Sequence, residues 1–187
     1  MPTLFIIAGP NGAGKTTAAY TIFPDILGVM QFVNADEIAR GISPFDPESV
    51  AFQAGKSMLN RVDELIASQA NFVLETTLSG RAYVGLINRA KSVGYSIKLI
   101  FVYVSSADVS VKRVASRVSK GGHHIPEEVI RRRYILGLKN FVHLSKDTVD
   151  SWELYDNESS SPLLVAKSEN GTVYIFEPDT WANICSC

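Results

Sequence analysis

The 187-residue chain has few cysteines and lacks a long apolar run. Its two cysteines, Cys185 and Cys187, lie one residue apart at the end of the sequence, too close together for an ordinary structural disulfide. This sparse use of cysteine fits a reducing cytoplasm. The apolar run at residues 4–8 follows no basic region and stops at Gly9 and Pro10, so it does not resemble a signal peptide. No stretch approaches the roughly 18 apolar residues of a membrane helix, and we expect a cytoplasmic protein without membrane contact.

An excess of charge of one sign is also lacking, because 18 Lys and Arg face 19 Asp and Glu. The net charge of −1 argues against a generally basic nucleic-acid-binding protein. The charges are nevertheless segregated along the chain. Residues 81–143 hold 12 basic and 3 acidic side chains, a net of +9, and the remainder carries a net of −10. The chain is neutral overall and still contains one strongly cationic segment.

Hydrophobic residues make up 46% of the chain, and their spacing alternates between short apolar runs and helical stripes. The runs at residues 4–8, 31–34, 71–74 and 97–104 are typical of buried strands. One helical stripe comprises Phe52, Leu59, Val62, Leu65 and Ile66. This alternation predicts an α/β fold, with a parallel sheet flanked by helices on both faces.

Beyond residue 145 the pattern changes to short β segments. These are expected at residues 152–155, 163–166 and 172–176, and Asn170-Gly171 supplies a hairpin turn between the last two. We therefore predict a single domain over residues 1–187. Its core covers residues 1–145 and carries a small β-rich appendage at residues 150–187.

A phosphate-binding loop follows the first predicted strand. The residues from Gly9 to Thr16 match the P-loop pattern G-x-x-x-x-G-K-[ST] in the required context of strand, loop and helix. Glycines let backbone amides approach phosphate oxygens closely, and the helix that opens at Lys15 adds the positive end of its dipole. Lys15 is expected to contact the β- and γ-phosphates, and Thr16 to give a hydroxyl to Mg²⁺. The predicted ATP-binding residues are Gly9, Pro10, Asn11, Gly12, Ala13, Gly14, Lys15, Thr16 and Thr17. A glycine-rich turn that matches by chance is the alternative.

Three polar residues follow the second predicted strand. Ligands of open α/β sheets bind beyond the carboxyl ends of the strands, so Asn34, Asp36 and Glu37 are candidates for the acceptor side of a phosphoryl transfer. Asp36 could accept the proton of the acceptor hydroxyl. Alternatively, Asp36 is only the N-cap of a helix that runs through Arg40.

The third strand also ends in polar residues. Glu75 follows an apolar run and could orient Mg²⁺ or its water, or it could hold the acceptor. The hydroxyl groups and the arginine that follow are candidates for acceptor binding: Thr76, Thr77, Ser79 and Arg81. The alternative is a solvated strand end with a turn at Gly80.

The cationic segment is typical of a closing lid. A helical stripe of Val111, Val114, Ala115 and Val118 places Arg113 and Arg117 together on the opposite face. A loop with Gly121-Gly122 follows, and a helix opens at Pro126.

The core stripe of that second helix comprises Ile130, Tyr134, Gly137 and Phe141. Arg132 points away from this stripe, whereas Arg131 and Arg133 flank it and could reach a cleft. Lid arginines neutralise transition-state charge and exclude water. A solvated basic face and a track for a phosphate backbone are the alternatives. His123 and His124 have no nearby cysteine or acidic partner, which disfavours a metal site.

These motifs together resemble the zeta toxin family of P-loop kinases. The matching segments are residues 9–16, residues 33–37 with Asn-Ala-Asp, residues 74–80 with Glu-Thr-Thr, and residues 117–126. The resemblance implies an adenylate-kinase-like fold and transfer of the ATP γ-phosphate to a sugar hydroxyl, in the best-known members that of UDP-N-acetylglucosamine. It also implies that Asp36 is the base, that Lys15 and Arg117 contact phosphate, and that Glu75 and Thr77 lie on the acceptor side.

The chain departs from the family pattern in the lid. The family usually places a second lid arginine where this chain has His123-His124-Ile125-Pro126. Its role passes to Arg131, Arg132 or Arg133, or is absent. An antitoxin is a possible protein partner by the same resemblance, although the sequence contains no recognisable antitoxin segment.

The sequence therefore predicts an Mg²⁺- and ATP-dependent kinase that acts on a hydroxyl group of a small molecule. Its expected catalytic residues are Asp36, Lys15, Arg117 and Arg133, and Arg113 is expected to contact the nucleotide. Two alternatives remain. One is a polynucleotide or nucleoside kinase whose cationic segment guides a strand. The other is a non-catalytic protein that senses ATP and acts through a partner, with residues 150–187 as its contact surface.

Overall fold

The structure is a computed structural model that describes residues 1–20, 28–80, 82–122, 124–144, 148–159 and 161–186. Seven strands lie in these ranges: β1 (Thr3–Ala8), β2 (Phe32–Asn34), β3 (Phe72–Thr76), β4 (Ser96–Tyr103), β5 (Ser151–Asp156), β6 (Leu163–Glu169) and β7 (Thr172–Ile175).

Helix α1 begins at residue 15 and is described through residue 20. The other helices are α2 (Ala35–Ile42), α3 (Ala51–Ala67), α4 (Ala82–Ser92), α5 (Ala107–Val118), α6 (Glu127–Leu144) and α7 (Pro178–Cys185), with a 3-10 turn at Pro47–Val50.

All seven strands form one sheet in the order β2-β3-β1-β4-β5-β6-β7. The first five in this order are parallel, and the β5–β6 and β6–β7 pairs are antiparallel. The expected parallel sheet is thus confirmed. Because β5 pairs with β4 from Lys98 opposite Ser151 to Tyr103 opposite Asp156, the carboxy-terminal β segment extends this same sheet. The carboxyl end of β5 consequently reaches the edge at which β1 ends.

The hairpin predicted at Asn170-Gly171 is confirmed between β6 and β7. Both residues have positive φ angles, 51° and 78°, which suit a tight turn between twisted strands. Helix α7 was not expected in this part of the chain. Trp181 of α7 stacks on Trp152 of β5 with ring centroids 5.4 Å apart, and this contact attaches the helix to the sheet.

The main core lies between the sheet and its helices. In α3 the buried residues are Ala54, Met58, Val62, Leu65 and Ile66. The expectation that Phe52 and Leu59 belong to this stripe is wrong, because Phe52 is 82% exposed and Leu59 is 42% exposed. At about 100° per residue both side chains fall at the edge of a stripe centred near Met58 and Val62.

Helices α5 and α6 share a smaller core of their own. Val114 of α5 packs there with Ile125 of the connecting loop and Ile130 of α6. Ala115, which the sequence placed in the stripe of α5, is exposed, because α5 turns Ser110 and Val114 inward. In α6 the predicted stripe is confirmed, and Phe141 packs on Phe101 of β4 with ring centroids 4.5 Å apart. The lid helices are therefore anchored at the sheet by the carboxyl half of α6.

Across the described ranges, the helices are all too short or too polar to cross a membrane.

Candidate active site

The P-loop connects β1 to α1 and has the backbone conformation that its glycines allow. Gly9, Gly12 and Gly14 have φ angles of +140°, +78° and +92°. A Cβ atom at Gly9 would overlap the carbonyl oxygen of Val102 in β4, and one at Gly14 would lie 2.5 Å from Asn157 Nδ2. Side chains at these positions would be strained and would collide with neighbours. Glycines at these positions therefore preserve the loop conformation that leads into the amino-terminal end of α1, where an anion would be favoured.

Residues that sequence reasoning missed hold this loop from the carboxyl end of β5. Asn157 Nδ2 donates a hydrogen bond of 2.7 Å to the carbonyl oxygen of Ala13. The Arg113 guanidinium donates to the carbonyl oxygens of Asn157 and Glu158 at 2.9 and 3.1 Å. The available signal was that polar residues follow a strand whose carboxyl end lies beside the P-loop. Recognising it required knowing that β5 is parallel to β4.

Lys15 is 6% exposed, and its ammonium group lies between two oxygen groups. Nζ donates to the carbonyl oxygen of Pro10 at 3.0 Å and lies 3.9 Å from Glu75 Oε1. Burial lowers the pKa of Lys15, and the charges of Glu75 and Asp36 oppose this effect. The Lys15 ammonium group is therefore held by the P-loop and by the Glu75 carboxylate of β3.

Glu75 lies inside β3 and not in a solvated strand end, because β3 continues to Thr76. Its side chain is 9% exposed, and both carboxylate oxygens accept from the Thr16 hydroxyl, at 3.0 and 2.9 Å. Burial raises the pKa of Glu75, whereas Lys15 and hydrogen bonds from Thr16 and Asn34 lower it. Hydroxyl and carboxylate oxygens that meet in this way suit a hard divalent cation.

Asn34, not Asp36, caps helix α2. Its side-chain oxygen accepts from the backbone N–H groups of Asp36 and Glu37 at 2.8 and 3.3 Å. The interpretation of Asp36 as the N-cap is therefore wrong: a cap requires extended φ and ψ angles, which Asn34 has. The Asp36 carboxylate is not used as a cap and lies in the first turn of α2. Glu37 forms an ion pair of 3.1 Å with Arg40.

Two adjoining cavities meet at this part of the sheet. The P-loop cavity has a volume of about 220 Å³, and the inner cavity one of about 120 Å³. Residues that line only the P-loop cavity are Gly12, Gly14, Thr16, Thr17, Glu37, Arg40, Arg113 and Arg117. Residues that line only the inner cavity are Ala35, Thr76, Thr77, Tyr83 and Arg133. Residues that line both are Asn11, Lys15, Asn34, Asp36 and Glu75. Asp36 thus stands at the boundary between the P-loop and a second binding space.

The lid arginines divide between these cavities. Arg113 and Arg117 of α5 line the P-loop cavity, and Arg133 of α6 lines the inner cavity. Arg131 instead pairs with Asp108 and Glu127, each at 2.7 Å, and Arg132 is exposed. Of the three consecutive arginines, Arg133 is therefore the one that faces the cleft.

The turn after β3 shapes the inner cavity. Thr76 Oγ1 accepts from the backbone N–H of Leu78 at 2.9 Å, and the hydroxyls of Thr77 and Ser79 are 2.9 Å apart. Thr76 and Thr77 line the inner cavity, whereas Ser79 is not among its lining residues. Tyr83 of α4 is a further lining residue that the sequence did not single out. Burial raises the pKa of Tyr83, and a hydrogen bond with Thr76 partly opposes the shift.

Two predicted positions lie outside the described residues, Arg81 and His123. His124 lines a separate groove beside Arg40 and Phe45. Within the ranges that the structure describes, His, Cys, Asp and Glu form no group of three or more that could hold a metal ion. A divalent cation at Thr16 would therefore depend on few protein ligands, as Mg²⁺ bound with phosphates does.

Known proteins share both sequence and fold with this chain. The model of the zeta toxin family matches residues 1–167. An uncharacterised protein of Haemophilus influenzae is 29% identical over 126 residues, which cover 67% of this chain and 88% of that protein.

Solved structures of two systems share the fold. The crystal structure of AvrRxo1-ORF1:AvrRxo1-ORF2 with sulphate ions has a TM-score of 0.81 at 19% identity and covers 99% of this chain. The structure of the same complex with ATP has a TM-score of 0.78 at 18% identity. This chain spans 64% of the length of that neighbour. The PezAT toxin-antitoxin system of Streptococcus pneumoniae has a TM-score of 0.68 at 17% identity and covers 92% of this chain and 74% of the neighbour.

Proposed function

The chain belongs to the zeta toxin family, and from this premise we propose that it is an ATP-dependent phosphotransferase that moves the γ-phosphate to a hydroxyl group of a small molecule. A sugar nucleotide such as UDP-N-acetylglucosamine is the acceptor that the family resemblance suggests. The observation that carries the proposal is the position of Asp36, a residue that lines both the P-loop cavity and the inner cavity.

On the nucleotide side, the P-loop amides and Lys15 bind the phosphates of ATP. The Lys15 ammonium donates to the carbonyl of Pro10, and a phosphate oxygen is a stronger acceptor for the same proton donor. Arg113 and Arg117 line the same cavity and offset phosphate charge. The AvrRxo1-ORF1:-ORF2 complex with ATP supports the assignment of ATP as the nucleotide.

The residues at Thr16 fit a magnesium ion. The Thr16 hydroxyl and the Glu75 carboxylate bring hard oxygen donors together in a half-buried position. Bound there with ATP, Mg²⁺ would neutralise charge on the β- and γ-phosphates. Thr16 would hold the ion, and Glu75 would hold it or its water.

On the acceptor side, the inner cavity takes the molecule that receives phosphate. Asp36 accepts the proton of the attacking hydroxyl, whose oxygen forms a bond to the γ-phosphorus while the bond from phosphorus to the β–γ bridging oxygen of ATP breaks. Arg133 lines this cavity and lies where charge on the transferred group can be stabilised. Thr76, Thr77 and Tyr83 supply further polar groups around the acceptor.

The test is phosphate transfer by Asp36→Asn, measured by ³¹P NMR and mass spectrometry with ATP and a panel of sugars, sugar nucleotides and nucleosides. We expect kcat to fall by about 10²- to 10⁴-fold, because the general base is lost, and the Kd for a non-hydrolysable ATP analogue to stay within about twofold. Glu37→Gln is the matched control, since Glu37 is the neighbouring acid but pairs with Arg40. Full transfer activity in Asp36→Asn would contradict the assignment of the base.

A protein partner is also proposed for this cleft. The AvrRxo1-ORF1:AvrRxo1-ORF2 structure is a complex of two proteins, and PezAT is a toxin-antitoxin system. An antitoxin that blocks the P-loop cavity would inhibit ATP binding, and competition between a candidate antitoxin and a fluorescent ATP analogue would reveal it.

A further inference from the structure

Two consecutive glycines close the carboxyl end of helix α5. The backbone N–H of Gly121 donates to the carbonyl oxygen of Val118 at 2.9 Å. The next backbone N–H, that of Gly122, donates to the carbonyl oxygen of Arg117, also at 2.9 Å. These two bonds are those of a Schellman motif, which places a left-handed residue at the position of Gly121. Gly121 has that conformation, with a φ angle of +85°, so the motif accounts for the first glycine but not for the second.

Gly122 lacks a side chain for a steric reason. Its φ angle is not positive, so its backbone conformation is also open to alanine. A Cβ atom at Gly122 would lie 2.5 Å from Cγ of Arg117 and 2.8 Å from the carbonyl oxygen of the same residue. Both distances are well inside van der Waals contact. The place that a side chain at position 122 would take is therefore already occupied by the stem of Arg117.

The stem contact lies at the foot of an arginine that belongs to the nucleotide site. A Schellman motif is often accompanied by a hydrophobic contact between the two positions that Gly122 and Arg117 hold here. In this chain the arginine stem makes that contact against the glycine backbone. Arg117 lines the P-loop cavity, and its positive charge acts to lower the pKa of Lys15. The side chain is thus packed against the lid loop at its base, and its charge is felt at the P-loop lysine.

We propose that Gly122 is a positioning residue for Arg117: its missing side chain leaves the space for the arginine stem, and the stem contact directs the guanidinium group to the phosphates. The inference rests on the proposed kinase function. An unrestrained arginine has many rotamers, and a contact at Cγ restricts the torsion angles nearest the backbone. An arginine restricted in this way loses less entropy when it binds the transferred phosphoryl group, so its charge is preorganised for the transition state.

The first measurement is phosphate transfer from ATP by Gly122→Ala. The added methyl group displaces the stem of Arg117, so we expect kcat to fall by about 10-fold or more. The Kd for a non-hydrolysable ATP analogue should rise by less than about threefold, because the P-loop and Lys15 keep their contacts. A kcat within about twofold of the wild-type value would overturn the proposal.

Gly41→Ala is the matched control. Gly41 follows Arg40, another arginine that lines the P-loop cavity, and a Cβ atom at Gly41 would meet nothing within 4 Å. Its φ angle is not positive, so alanine fits this backbone too. The kcat of Gly41→Ala should stay within about twofold of the wild-type value. A loss as large as that of Gly122→Ala would show that the absence of a contact does not matter, and would contradict the steric argument.

A double-mutant cycle separates positioning from a merely structural role. Arg117→Ala removes Cγ and with it the collision at that atom. If Gly122 acts through Arg117, Gly122→Ala should lower the residual kcat of Arg117→Ala by less than about twofold, against about 10-fold in the wild-type background. An equal loss in both backgrounds would show that Gly122 acts independently of the arginine.

Thermal unfolding makes the same comparison without activity, and it applies even if Gly122→Ala is too unstable for kinetics. The methyl group meets both Cγ and the carbonyl oxygen of Arg117, and Arg117→Ala removes only Cγ. We expect the decrease in Tm caused by Gly122→Ala to be about half as large or smaller in the Arg117→Ala background. An undiminished decrease would assign the effect to the backbone contact alone and overturn the proposal.

Failures of the two proposals give different results. If the wild type transfers phosphate to no acceptor, the kinase function is wrong and the positioning role falls with it. If the wild type transfers phosphate and Arg117→Ala keeps its kcat, Arg117 has no part in the transfer and Gly122 has nothing to position. If Arg117→Ala loses activity and Gly122→Ala does not, only the Gly122 proposal is wrong.

Discussion

Asn157 shows how one side chain can set the conformation of a nucleotide-binding loop. Its amide donates to the carbonyl of Ala13, and its own carbonyl accepts from Arg113. The absence of a side chain at Gly14 leaves room for the Asn157 amide beside the loop. Asn157 therefore links the P-loop to the lid helix α5 through two short hydrogen bonds.

We predict that Asn157→Ala raises the KM for ATP by about three- to tenfold with a smaller change in kcat. The hydrogen bond to Ala13 contributes about 1 kcal/mol, and without it the loop samples conformations that do not match the phosphates. Steady-state kinetics at varied ATP would measure this. Ser159→Ala is the control, because Ser159 is two residues further along and its hydroxyl donates to the carbonyl of Ser161, away from the P-loop. An unchanged KM for ATP in Asn157→Ala would show that the loop holds its shape without this bond.

Helix α6 is positioned by a close backbone contact with the turn after β3. A Cβ atom at Gly137 would lie 2.6 Å from the carbonyl oxygen of Thr77, and Asn140 Nδ2 donates to the carbonyl of Leu78 at 2.7 Å. Leu78 itself has a positive φ angle of 56°. Arg133 lies one turn before Gly137, so this contact determines how far the arginine reaches into the inner cavity.

Gly137→Ala is expected to displace α6 and to affect stability and activity together. Insertion of a methyl group against the backbone of Thr77 should lower the free energy of unfolding by about 1–3 kcal/mol. The transfer rate should fall while the Kd for an ATP analogue changes little, because Arg133 moves and the P-loop does not. Urea unfolding and acceptor-saturation kinetics would measure both effects.

Gly85→Ala in α4 is the matched control for this prediction. A Cβ atom at Gly85 meets nothing within 4 Å, so alanine should raise the free energy of unfolding by about 0.5–1 kcal/mol through its higher helix propensity. If Gly137→Ala were as stable as Gly85→Ala, the contact with Thr77 would not constrain α6.

At the scale of the whole molecule, ion pairs neutralise part of the cationic segment outside the cleft. Arg89 pairs with Asp63 of α3 at 2.7 Å, and Lys91 pairs with Asp150 at 2.9 Å. Arg131 pairs within the segment with Asp108 and Glu127. Such exposed pairs add little stability, but they cancel the field that a long anionic strand would follow. Arg113, Arg117 and Arg133 are instead directed to the two cavities.

This distribution predicts weak binding of nucleic acid. A fluorescein-labelled single-stranded 20-mer of DNA or RNA should show no change in anisotropy at 150 mM salt with up to about 10 μM protein. The double variant Asp63→Asn, Asp150→Asn leaves Arg89 and Lys91 unpaired and should bind more strongly at low salt. Tight binding by the wild type with a steep dependence on salt would favour the polynucleotide kinase alternative.

Much of the fold was predictable because its signals are local. The glycines of the P-loop, the apolar runs of β1 to β4 and the turn at Asn170-Gly171 each depend on neighbouring residues, and all are confirmed. The exposure of Phe52 and Leu59 was not predictable in this way, because the centre of a helical stripe depends on how the helix rotates against the sheet. The same limit applied to the choice among Arg131, Arg132 and Arg133.

The sequence by itself therefore determined the phosphate-binding loop, the α/β class and the polar residues at the ends of β2 and β3, since these depend on short-range backbone geometry and periodicity. Only the tertiary structure decided which residues meet. Asn157 and Ala13 are 144 positions apart and bond because β5 lies parallel to β4. Asn34 takes the cap of α2 and leaves Asp36 between the two cavities. Which residues meet depends on hydrogen bonding and burial between segments that are distant in the sequence, so a local sequence pattern does not predict it.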